Sequence, residues 1–318
     1  MSRQAADRPM RALRAHRRGG PEELVYEQAP RPPLGIGDAL VRVHAASFTP
    51  TELSWPSTWT DRLGRERTPV IPAHEVSGEV VALGFGTSGV EVGQEVFGLT
   101  DWYRDGAAAD YVAVEARNLA PKPATIDHLQ AAAVPLAGLT AWQALFDHGR
   151  LRAGQTVLVH GAAGGVGSFA VQLANAAGAQ VIATGRAPDG ELLALLGAAQ
   201  VVDVERQRFE DAAGQVDLVL DLVGGETAAR SWPLVRPGGT LVTVVGGTAA
   251  GPPRQDARWV FFVVEADRAG LAELGRRVDA GELRPVIGGV LPLAEGRQAF
   301  QAKRRGGPPG KLVLRVAE

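Results

Sequence analysis

The chain has 318 residues, enough for about two domains. Its 33 basic and 35 acidic residues leave a net charge of −2, which gives no support for binding to nucleic acid or to a membrane surface. The sequence contains no cysteine, and this excludes disulfides, thiolate metal ligands, iron–sulfur clusters and a cysteine nucleophile.

The first residues of the sequence do not have the pattern expected of a signal peptide. The first residues contain arginines but no apolar core of the signal-peptide type, and no run of the sequence reaches transmembrane length. We therefore expect a soluble, cytoplasmic protein with no membrane partner. Residues Met1 to Arg8 are polar and are predicted to be a loose tail, with Met10 beginning the folded part.

Residues 10–125 have the pattern of an all-β domain. Short apolar segments alternate with turns rich in proline and glycine, such as Arg31 to Asp38. Their spacing predicts a compact barrel. The strand candidates are Leu24–Tyr26, Ala39–His44, His74–Leu83, Glu95–Leu99 and Asp110–Val114.

Two helical stretches, Asp127–Val134 and Leu139–Phe146, lead into a region where strands and helices alternate up to about residue 265. Glycine pairs at 224–225 and 246–247 directly follow strand ends, where open parallel sheets bind ligands. Plain turn chemistry explains these glycines equally well. From Asp267 onward the pattern predicts helix, strand, helix and strand, without deciding which domain this segment joins.

The most specific stretch runs from Thr156 to Arg186. A β-branched apolar strand, Thr156 to His160, is followed by a glycine-dense turn, a helix that ends near Gly178 and a second strand, Gln180 to Thr184. In this context the glycines predict a dinucleotide site, with A-x-G-x-x-G replacing the usual G-x-G-x-x-G. The residues expected to bind the cofactor at this turn are Gly161, Ala163, Gly164, Gly165, Val166 and Gly167.

The chemistry of this turn depends on its backbone. Gly164 allows the main chain to approach a pyrophosphate closely, and Gly167 allows the helix to pack tightly on the strands. The N-terminus of the helix offers unpaired N–H groups and the positive end of its dipole to the phosphates.

The end of the second strand indicates which dinucleotide is bound. A site for NAD usually places Asp or Glu there to hold the ribose 2′-hydroxyl. Here the strand ends Thr184-Gly185-Arg186, with no carboxylate to repel a 2′-phosphate and with a guanidinium able to pair with it. We therefore predict that these three residues bind NADP(H) rather than NAD(H). The alternative is that Arg186 is a solvated loop cation.

Six motifs, one of which contains the glycine turn, are spread over both halves of the chain. They are LVRVHAA at Leu40–Ala46, PAHEVSG at Pro72–Gly78, LAGLTAW at Leu136–Trp142, HGAAGGVG at His160–Gly167, DLVLDLVGG at Asp217–Gly225 and RPGGT at Arg236–Thr240. With them, the chain from Met10 to Val316 resembles the medium-chain dehydrogenase/reductase superfamily, and within it the zinc-free quinone oxidoreductase (zeta-crystallin-like) branch.

The resemblance implies an α/β fold with two domains. One is a GroES-like β-barrel catalytic domain, expected at residues 1–125 with 282–318 returning to it. The other is a Rossmann NADP-binding domain with a doubly wound parallel sheet, expected at 126–281. The resemblance also implies a homodimer.

Zinc-dependent members of the superfamily hold a catalytic zinc with two cysteines and a histidine. The matching positions here are Thr49, His74 and Leu136, and threonine and leucine cannot complete the usual set of three protein ligands. We therefore expect no metal site, and His74 is expected to be a structural or pocket residue.

Without zinc, alcohol oxidation lacks its Lewis acid, and hydride transfer from NADPH to a quinone or an α,β-unsaturated carbonyl remains. Two alternatives stay open: a reductase for one enone or enoyl intermediate of secondary metabolism, and an NADPH-binding protein without turnover. By resemblance, Thr140 and Thr49 lie near the nicotinamide ribose. The residues implied on the nicotinamide side are Val223, Gly224, Val245, Gly246, Phe261, Phe262 and Val263.

Two aromatic-rich loops of the barrel hold the remaining candidates. Tyr103 lies where the family has its pocket and is a candidate proton donor; the alternatives are a pocket-lining or surface role, with solvent or a ribose hydroxyl as donor. Trp55, Trp59 and Trp102 are candidates for stacking on a flat substrate, and ordinary apolar packing explains them equally well. Thr49 is a candidate both for catalysis and for the substrate pocket.

Overall fold

The computed structural model describes residues 9–248, 254–304 and 306–317, so the predicted tail lies outside the described residues. The chain divides into two units. The first, here called the barrel unit, extends to Leu136 and also contains Ala266–Gly281 and the chain from Pro285 onward. The second, here called the sheet unit, comprises Ala137–Glu265 and Glu282–Arg284.

Strands and helices follow the predicted order. The strands are β1 (Met10–Ala15), β2 (Leu24–Ala29), β3 (Asp38–Ser47), β4 (Glu75–Leu83), β5 (Glu95–Leu99), β6 (Tyr111–Glu115), β7 (Leu119–Pro121), β8 (Thr156–Val159), β9 (Gln180–Gly185), β10 (Gln200–Asp203), β11 (Val216–Asp221), β12 (Val235–Thr243), β13 (Arg258–Phe261), β14 (Ile287–Pro292) and β15 (Lys311–Arg315). The α-helices are α1 (Pro56–Trp59), α2 (His128–Ala132), α3 (Pro135–Trp142), α4 (Gly165–Ala176), α5 (Gly190–Leu195), α6 (Phe209–Ala213), α7 (Gly225–Ser231), α8 (Arg268–Asp279) and α9 (Gly296–Arg304).

The barrel unit is organised around β3. This strand pairs antiparallel with β4, β6 and β15, and the sheet order is β14-β15-β3-β4-β5-β7. Valines of β3 and β4, such as Val41 and Val76, are fully buried in the core. The C-terminal strand β15 therefore belongs to the barrel sheet, with Val313 opposite Ser47.

Two segments group differently from the expected domain boundaries. Residues 126–136 and 266–281 were expected in the Rossmann domain, but they belong to the barrel unit. The reason is packing, since α2 lies on β3 and β4 while α8 lies against β7. Conversely, Glu282–Arg284 joins the sheet unit, because Gln172 exchanges hydrogen bonds of 3.0 Å with the backbone of Arg284.

The sheet unit contains six parallel strands in the order β10-β9-β8-β11-β12-β13. The chain order of the strands reverses between β8 and β11, and ligands bind at such a point in open parallel sheets, beyond the carboxyl ends of the strands. This arrangement confirms the doubly wound sheet that the sequence predicts. Among the described helices, none has the length and apolar character needed to cross a membrane.

Candidate active site

The glycine turn between β8 and α4 has the geometry that its sequence predicts. Gly161 has φ of +67°, a conformation that side chains rarely adopt. A Cβ at Gly167 would lie 2.3 Å from the carbonyl oxygen of Gly161 and 2.6 Å from Cα of Ala162. Only glycine allows the helix to pack this closely on the turn.

The N-terminus of α4 carries no side-chain cap. Gly164 is the N-cap residue and accepts the N–H of Ser168 at 3.0 Å, the first hydrogen bond of the helix. The N–H groups of the first turn, Gly165 to Gly167, are therefore the groups that a helix leaves for an anion. These residues fit a bound pyrophosphate.

A buried histidine next to this turn contacts both the end of β9 and the last residue of α7. His160 lies 3.1 Å from Oγ1 of Thr184 through Nδ1 and 2.8 Å from Oγ of Ser231 through Nε2. Burial lowers the pKa of His160 to about 4, so the ring is neutral at neutral pH. Thr184 is predicted to bind cofactor. Its hydroxyl is buried and contacts His160 and the carbonyl of Val159, so a contact with cofactor would have to use its backbone.

The end of β9 differs from its prediction. No carboxylate was expected there, but the turn after the strand brings Asp189 back. Its carboxylate accepts the backbone N–H of Arg186 at 3.0 Å and lies 3.5 Å from Nε of the same residue. The Asp189 side chain is 6% exposed and the Arg186 side chain 49% exposed, so the guanidinium is the accessible charge.

Asp221, at the end of β11, shapes the next loop. One carboxylate oxygen accepts the N–H groups of Val223 and Gly224 at 3.1 and 2.9 Å, and the other accepts the hydroxyl of Thr243 at 2.7 Å. Gly224 has φ of +80°, and a Cβ there would lie 2.6 Å from Cγ1 of Val245. Three of the residues predicted on the nicotinamide side, Val223, Gly224 and Val245, therefore lie together.

The predicted wall at Phe261–Val263 is only partly available. Phe261 and Val263 are exposed, but Phe262 is buried with its ring 4.4 Å from that of His148. Extended backbone sends alternate side chains to opposite faces, so all three cannot face one ligand. The side chain of Phe262 is therefore packed inside the sheet unit, whereas those of Phe261 and Val263 stay accessible to a ligand.

Two buried hydroxyls in the sheet unit lack a hydrogen-bond partner among the described residues. They are Oγ1 of Thr140, in α3, and Oγ1 of Thr248, which follows Gly246 and Gly247. Buried polar atoms are normally paired, so among the described residues these two hydroxyls are available to a polar group of a bound ligand. Together with the free end of α4, these atoms fit a dinucleotide.

In the barrel unit, buried carboxylates contact two of the three positions that match the zinc ligands of relatives. Glu52 accepts the N–H of Thr49 at 3.1 Å, and Glu75 accepts the N–H of Leu136 at 3.1 Å. Across the described part of the chain, no group of three or more His, Cys, Asp or Glu side chains is arranged to hold a metal. The donor set at Thr49, His74 and Leu136 does not fit a catalytic zinc.

His74 is held rigidly in the barrel. Its side chain is nearly inaccessible, its Nδ1 lies 2.7 Å from Oγ1 of Thr100, and its ring meets Trp102 edge to face at 5.1 Å. Burial, together with the charge of Arg67, lowers the pKa of His74 to about 3. The ring is therefore neutral throughout the physiological range. The ring of Trp102 also contacts Trp55, with 5.5 Å between the two ring centroids.

The three candidate tryptophans differ in burial. Trp55 and Trp102 are partly exposed, whereas Trp59 is 3% exposed, belongs to the barrel core and donates its indole N–H to the carbonyl of Leu53 at 2.9 Å. Trp55 and Trp59 border a cavity of about 380 Å³. Its other walls include Arg18, Pro21, Pro50 and Leu53.

Tyr103 lies at the surface of the same loop as Trp102. Its side chain is exposed, its backbone N–H is donated to Asp101 at 2.7 Å, and the Arg62 guanidinium lies over the ring at 5.5 Å. Within the described residues its phenol hydroxyl makes no hydrogen bond, which leaves the hydroxyl available.

Comparison with known proteins gives the same fold along the chain. Residues 35–124 match the alcohol dehydrogenase GroES-like domain, and residues 196–314 match the zinc-binding dehydrogenase family. The chain is 31% identical to the mitochondrial NAD(P)H oxidoreductase RTN4IP1 of Mus musculus, over 88% of this chain and 82% of that protein. The chain belongs to the medium-chain dehydrogenase/reductase superfamily.

Two further similar proteins are a furanone reductase and a quinone oxidoreductase. The chain is 33% identical to the 2-methylene-furan-3-one reductase of Solanum lycopersicum, over 89% of this chain and 73% of that protein. The quinone oxidoreductase of Coxiella burnetii superposes with a TM-score of 0.90 and 30% identity, covering 98% of this chain and all of that one. The predicted two-domain fold is confirmed, and the chain is an oxidoreductase consistent with the quinone oxidoreductase branch.

Several residues of this superfamily site were not singled out as functional from sequence. Asp189 and Asp221 act on backbone a few residues away, a pattern that an Asx-type turn after each strand would have suggested. Glu75 is also ion-paired with the buried Lys311, and this contact had no local signal because the two residues are far apart in the chain.

Proposed function

We propose that this protein is an NADPH-dependent, zinc-independent reductase of quinones or α,β-unsaturated carbonyl compounds. The observation that carries the proposal is the uncapped N-terminus of α4 beside the Gly161–Gly167 turn, a backbone anion site at the switch point of the parallel sheet. The NAD(P)H oxidoreductase and quinone oxidoreductase relatives support it.

The residues that bind cofactor belong to the sheet unit. The N–H groups of Gly165 to Gly167 bind the pyrophosphate, Arg186 binds the 2′-phosphate, and the Thr140 hydroxyl binds a polar group on the ribose or nicotinamide. Bound NADPH supplies the hydride. Exposed Val223 and Phe261 exclude water from the nicotinamide side.

The acceptor contacts belong to the barrel unit. Trp55 and Trp102 present partly exposed rings that suit a flat, electron-poor molecule. The Thr49 hydroxyl is proposed to contact the acceptor or the ribose, and Trp59 to support the cavity wall from the core. For the proton there are three alternatives, Tyr103, solvent and a ribose hydroxyl, and the variant Tyr103→Phe tests the first of them.

Zinc independence is supported by the absence of cysteine and by Thr49 and Leu136 at the matching positions. When a quinone or an enone accepts a hydride, the negative charge is delocalised onto a distant oxygen. No Lewis acid is therefore needed at the reacting carbon. We also propose a homodimer formed through β13, an edge strand of the sheet whose outer side has no strand partner among the described residues.

The test is consumption of NADPH and NADH by the purified protein with a panel of simple quinones and enones. Turnover of a quinone with NADPH, unchanged after chelator treatment and without stoichiometric zinc, is the expected result. Turnover of enones alone favours the second candidate, an enone reductase, which the tomato relative supports. Tight NADPH binding with no turnover on either class contradicts both, and light scattering tests the dimer.

A further inference from the structure

Two buried carboxylates accept hydrogen bonds from the backbone of the segments that carry the candidate site of the barrel unit. Glu52 accepts the N–H of Ala73 at 2.6 Å and of Thr49 at 3.1 Å, and Glu75 accepts the N–H of Leu136 at 3.1 Å. Both side chains are almost completely inaccessible. Thr49 is a candidate site residue, and Ala73 directly precedes His74.

Lys311, from the C-terminal strand β15, pairs with the second of these carboxylates and contacts the backbone next to Thr49. Its ammonium is ion-paired with Glu75 and donates to the carbonyl of Phe48 at 2.9 Å, one residue before Thr49. The Lys311 side chain is 8% exposed. Two carboxylates and one ammonium are thus buried in the barrel unit. Glu52 and Lys311 both contact the backbone at residues 48–49, Glu52 also contacts Ala73, and Glu75 contacts Leu136.

The turn before His74 needs this support. Ala73 has φ of +70°, which is unfavourable for a residue with a Cβ. Its N–H is held by Glu52, and its carbonyl accepts the N–H of Ala107 at 2.5 Å. The carboxylate therefore stabilises a backbone conformation that aims the next residue, His74, into the barrel.

We propose that Glu52, Glu75 and Lys311 form a buried tie that positions Thr49, His74 and the start of α3 at Leu136 for the reduction reaction. The three are positioning residues that act through backbone contacts and do not touch the substrate. This inference rests on the proposed reductase function. It goes beyond it because it assigns a role to three residues that bind neither cofactor nor acceptor.

A purely structural tie makes a different prediction from a positioning tie. If the tie only stabilises the fold, its loss reduces the amount of folded protein but not the turnover of each folded molecule. If it positions the site, turnover per molecule falls while NADPH affinity is kept, since the cofactor residues belong to the sheet unit.

The first variant is Glu52→Gln, which keeps the size of the side chain but replaces one acceptor oxygen with an amide donor. We expect kcat per NADPH-binding site to fall by about 10- to 100-fold, as small misplacements do. The dissociation constant for NADPH should stay within about twofold. By NMR, the Thr49 and Ala73 amides should exchange about tenfold faster.

The wild-type enzyme should also show a pH signature that Glu52→Gln lacks. Burial raises the pKa of Glu52 to about 7, with Lys311 and the two backbone N–H groups opposing this shift and Glu75 adding to it. The ionised carboxylate accepts both backbone hydrogen bonds better than the neutral acid, so kcat should rise through about pH 7.

Asp217→Asn is the matched control. Asp217 accepts the N–H of Thr156 at 2.8 Å and pairs with Arg236 at 2.9 Å, at the end of the sheet opposite the glycine turn. It should lower thermal stability without changing kcat per site. If Glu52→Gln does not fold, Lys311→Gln replaces it, and Lys311→Arg should then recover most of the lost turnover.

Each outcome decides between the readings. Unchanged kcat per site in folded Glu52→Gln overturns the proposal, and so do unchanged exchange rates at Thr49 and Ala73. If wild type reduces no acceptor, the proposed function fails. The tie is then judged by amide exchange and by the imidazole signals of His74, which must shift in Glu52→Gln if the tie positions that ring.

Discussion

The carboxylate of Asp189 accepts the backbone N–H of Arg186 at 3.0 Å and lies 3.5 Å from its Nε. If the protein uses NADPH as proposed, we expect its cofactor preference to depend on these two side chains rather than on the arginine alone. The Asp189 side chain is buried and hydrogen-bonded to the backbone of Arg186, whereas the Arg186 guanidinium is about half-exposed and accessible to a phosphate.

Arg186→Ala should weaken NADPH binding by about 10- to 100-fold, the value of a charge-assisted hydrogen bond, and leave NADH binding within about twofold. Asp189→Asn, which removes the negative charge but keeps an acceptor for the backbone, should tighten NADPH binding. Fluorescence titration with both cofactors measures these changes. Unchanged NADPH affinity in Arg186→Ala would make the residue a solvated cation.

Gly167→Ala should destabilise the sheet unit by about 3 kcal/mol and abolish NADPH binding, because the new methyl would overlap the backbone of the turn. Gly246→Ala is the control, since the nearest atom to its Cβ is Cζ of Phe261 at 4.0 Å. Calorimetry should show no loss of stability for this control. Weaker NADPH binding by the control would then report direct contact between residue 246 and cofactor.

The tryptophans of the barrel should separate by function. Trp59→Ala should lower the free energy of unfolding by about 3–5 kcal/mol, because it empties a core site. Trp102→Ala should lower it by no more than about 2 kcal/mol and raise KM for the acceptor, since it loses aromatic contacts with Trp55 and His74. Denaturant unfolding and steady-state kinetics measure the two effects. Equal loss of stability in both variants would assign Trp102 to packing.

Glu52 should make the protein less stable as pH rises. Its pKa is about 7 in the folded state and 4.5 ordinarily, so its contribution is complete below pH 4.5 and is lost as pH rises through 7. The difference is about 3 kcal/mol. Urea unfolding of wild type and Glu52→Gln between pH 4.5 and 8.5 measures it, and the stability gap should shift in favour of the variant at high pH. A constant gap would contradict the prediction.

His160 should act in the opposite direction. Burial lowers its pKa from 6.5 to about 4, so its contribution to stability is complete above pH 6.5 and is lost as pH falls through 4. His160→Asn removes this titration, and its free energy of unfolding should fall less than that of wild type between pH 6.5 and 4. Parallel pH profiles for the two proteins would contradict this assignment.

Contiguous sequence predicted the sheet unit well. The strand, turn and helix around Gly161–Gly167 follow one another directly, so their spacing alone determines that the helix N-terminus meets the glycine turn.

All five strand candidates of residues 10–125 are present, and β5 has the predicted bounds. The strand β1 was missed because Arg11 and Arg14 interrupt its apolar pattern.

Long-range contacts were not predictable. The local sequence pattern does not distinguish Trp59, which packs in the core, from Trp102, which stays accessible. It also does not indicate that Phe262 is buried between two exposed neighbours. It also could not tell that Glu52, Glu75 and Lys311 meet, because that meeting depends on how β15 pairs with β3.

The sequence by itself determined the local anion site, the absence of thiolate ligands and the order of the secondary structure, since these depend on neighbouring residues. Only the tertiary structure decided which charges face each other and which rings remain accessible. The physical reason is that burial and pairing are set by strands and loops far apart in the chain, whose contacts no local periodicity encodes.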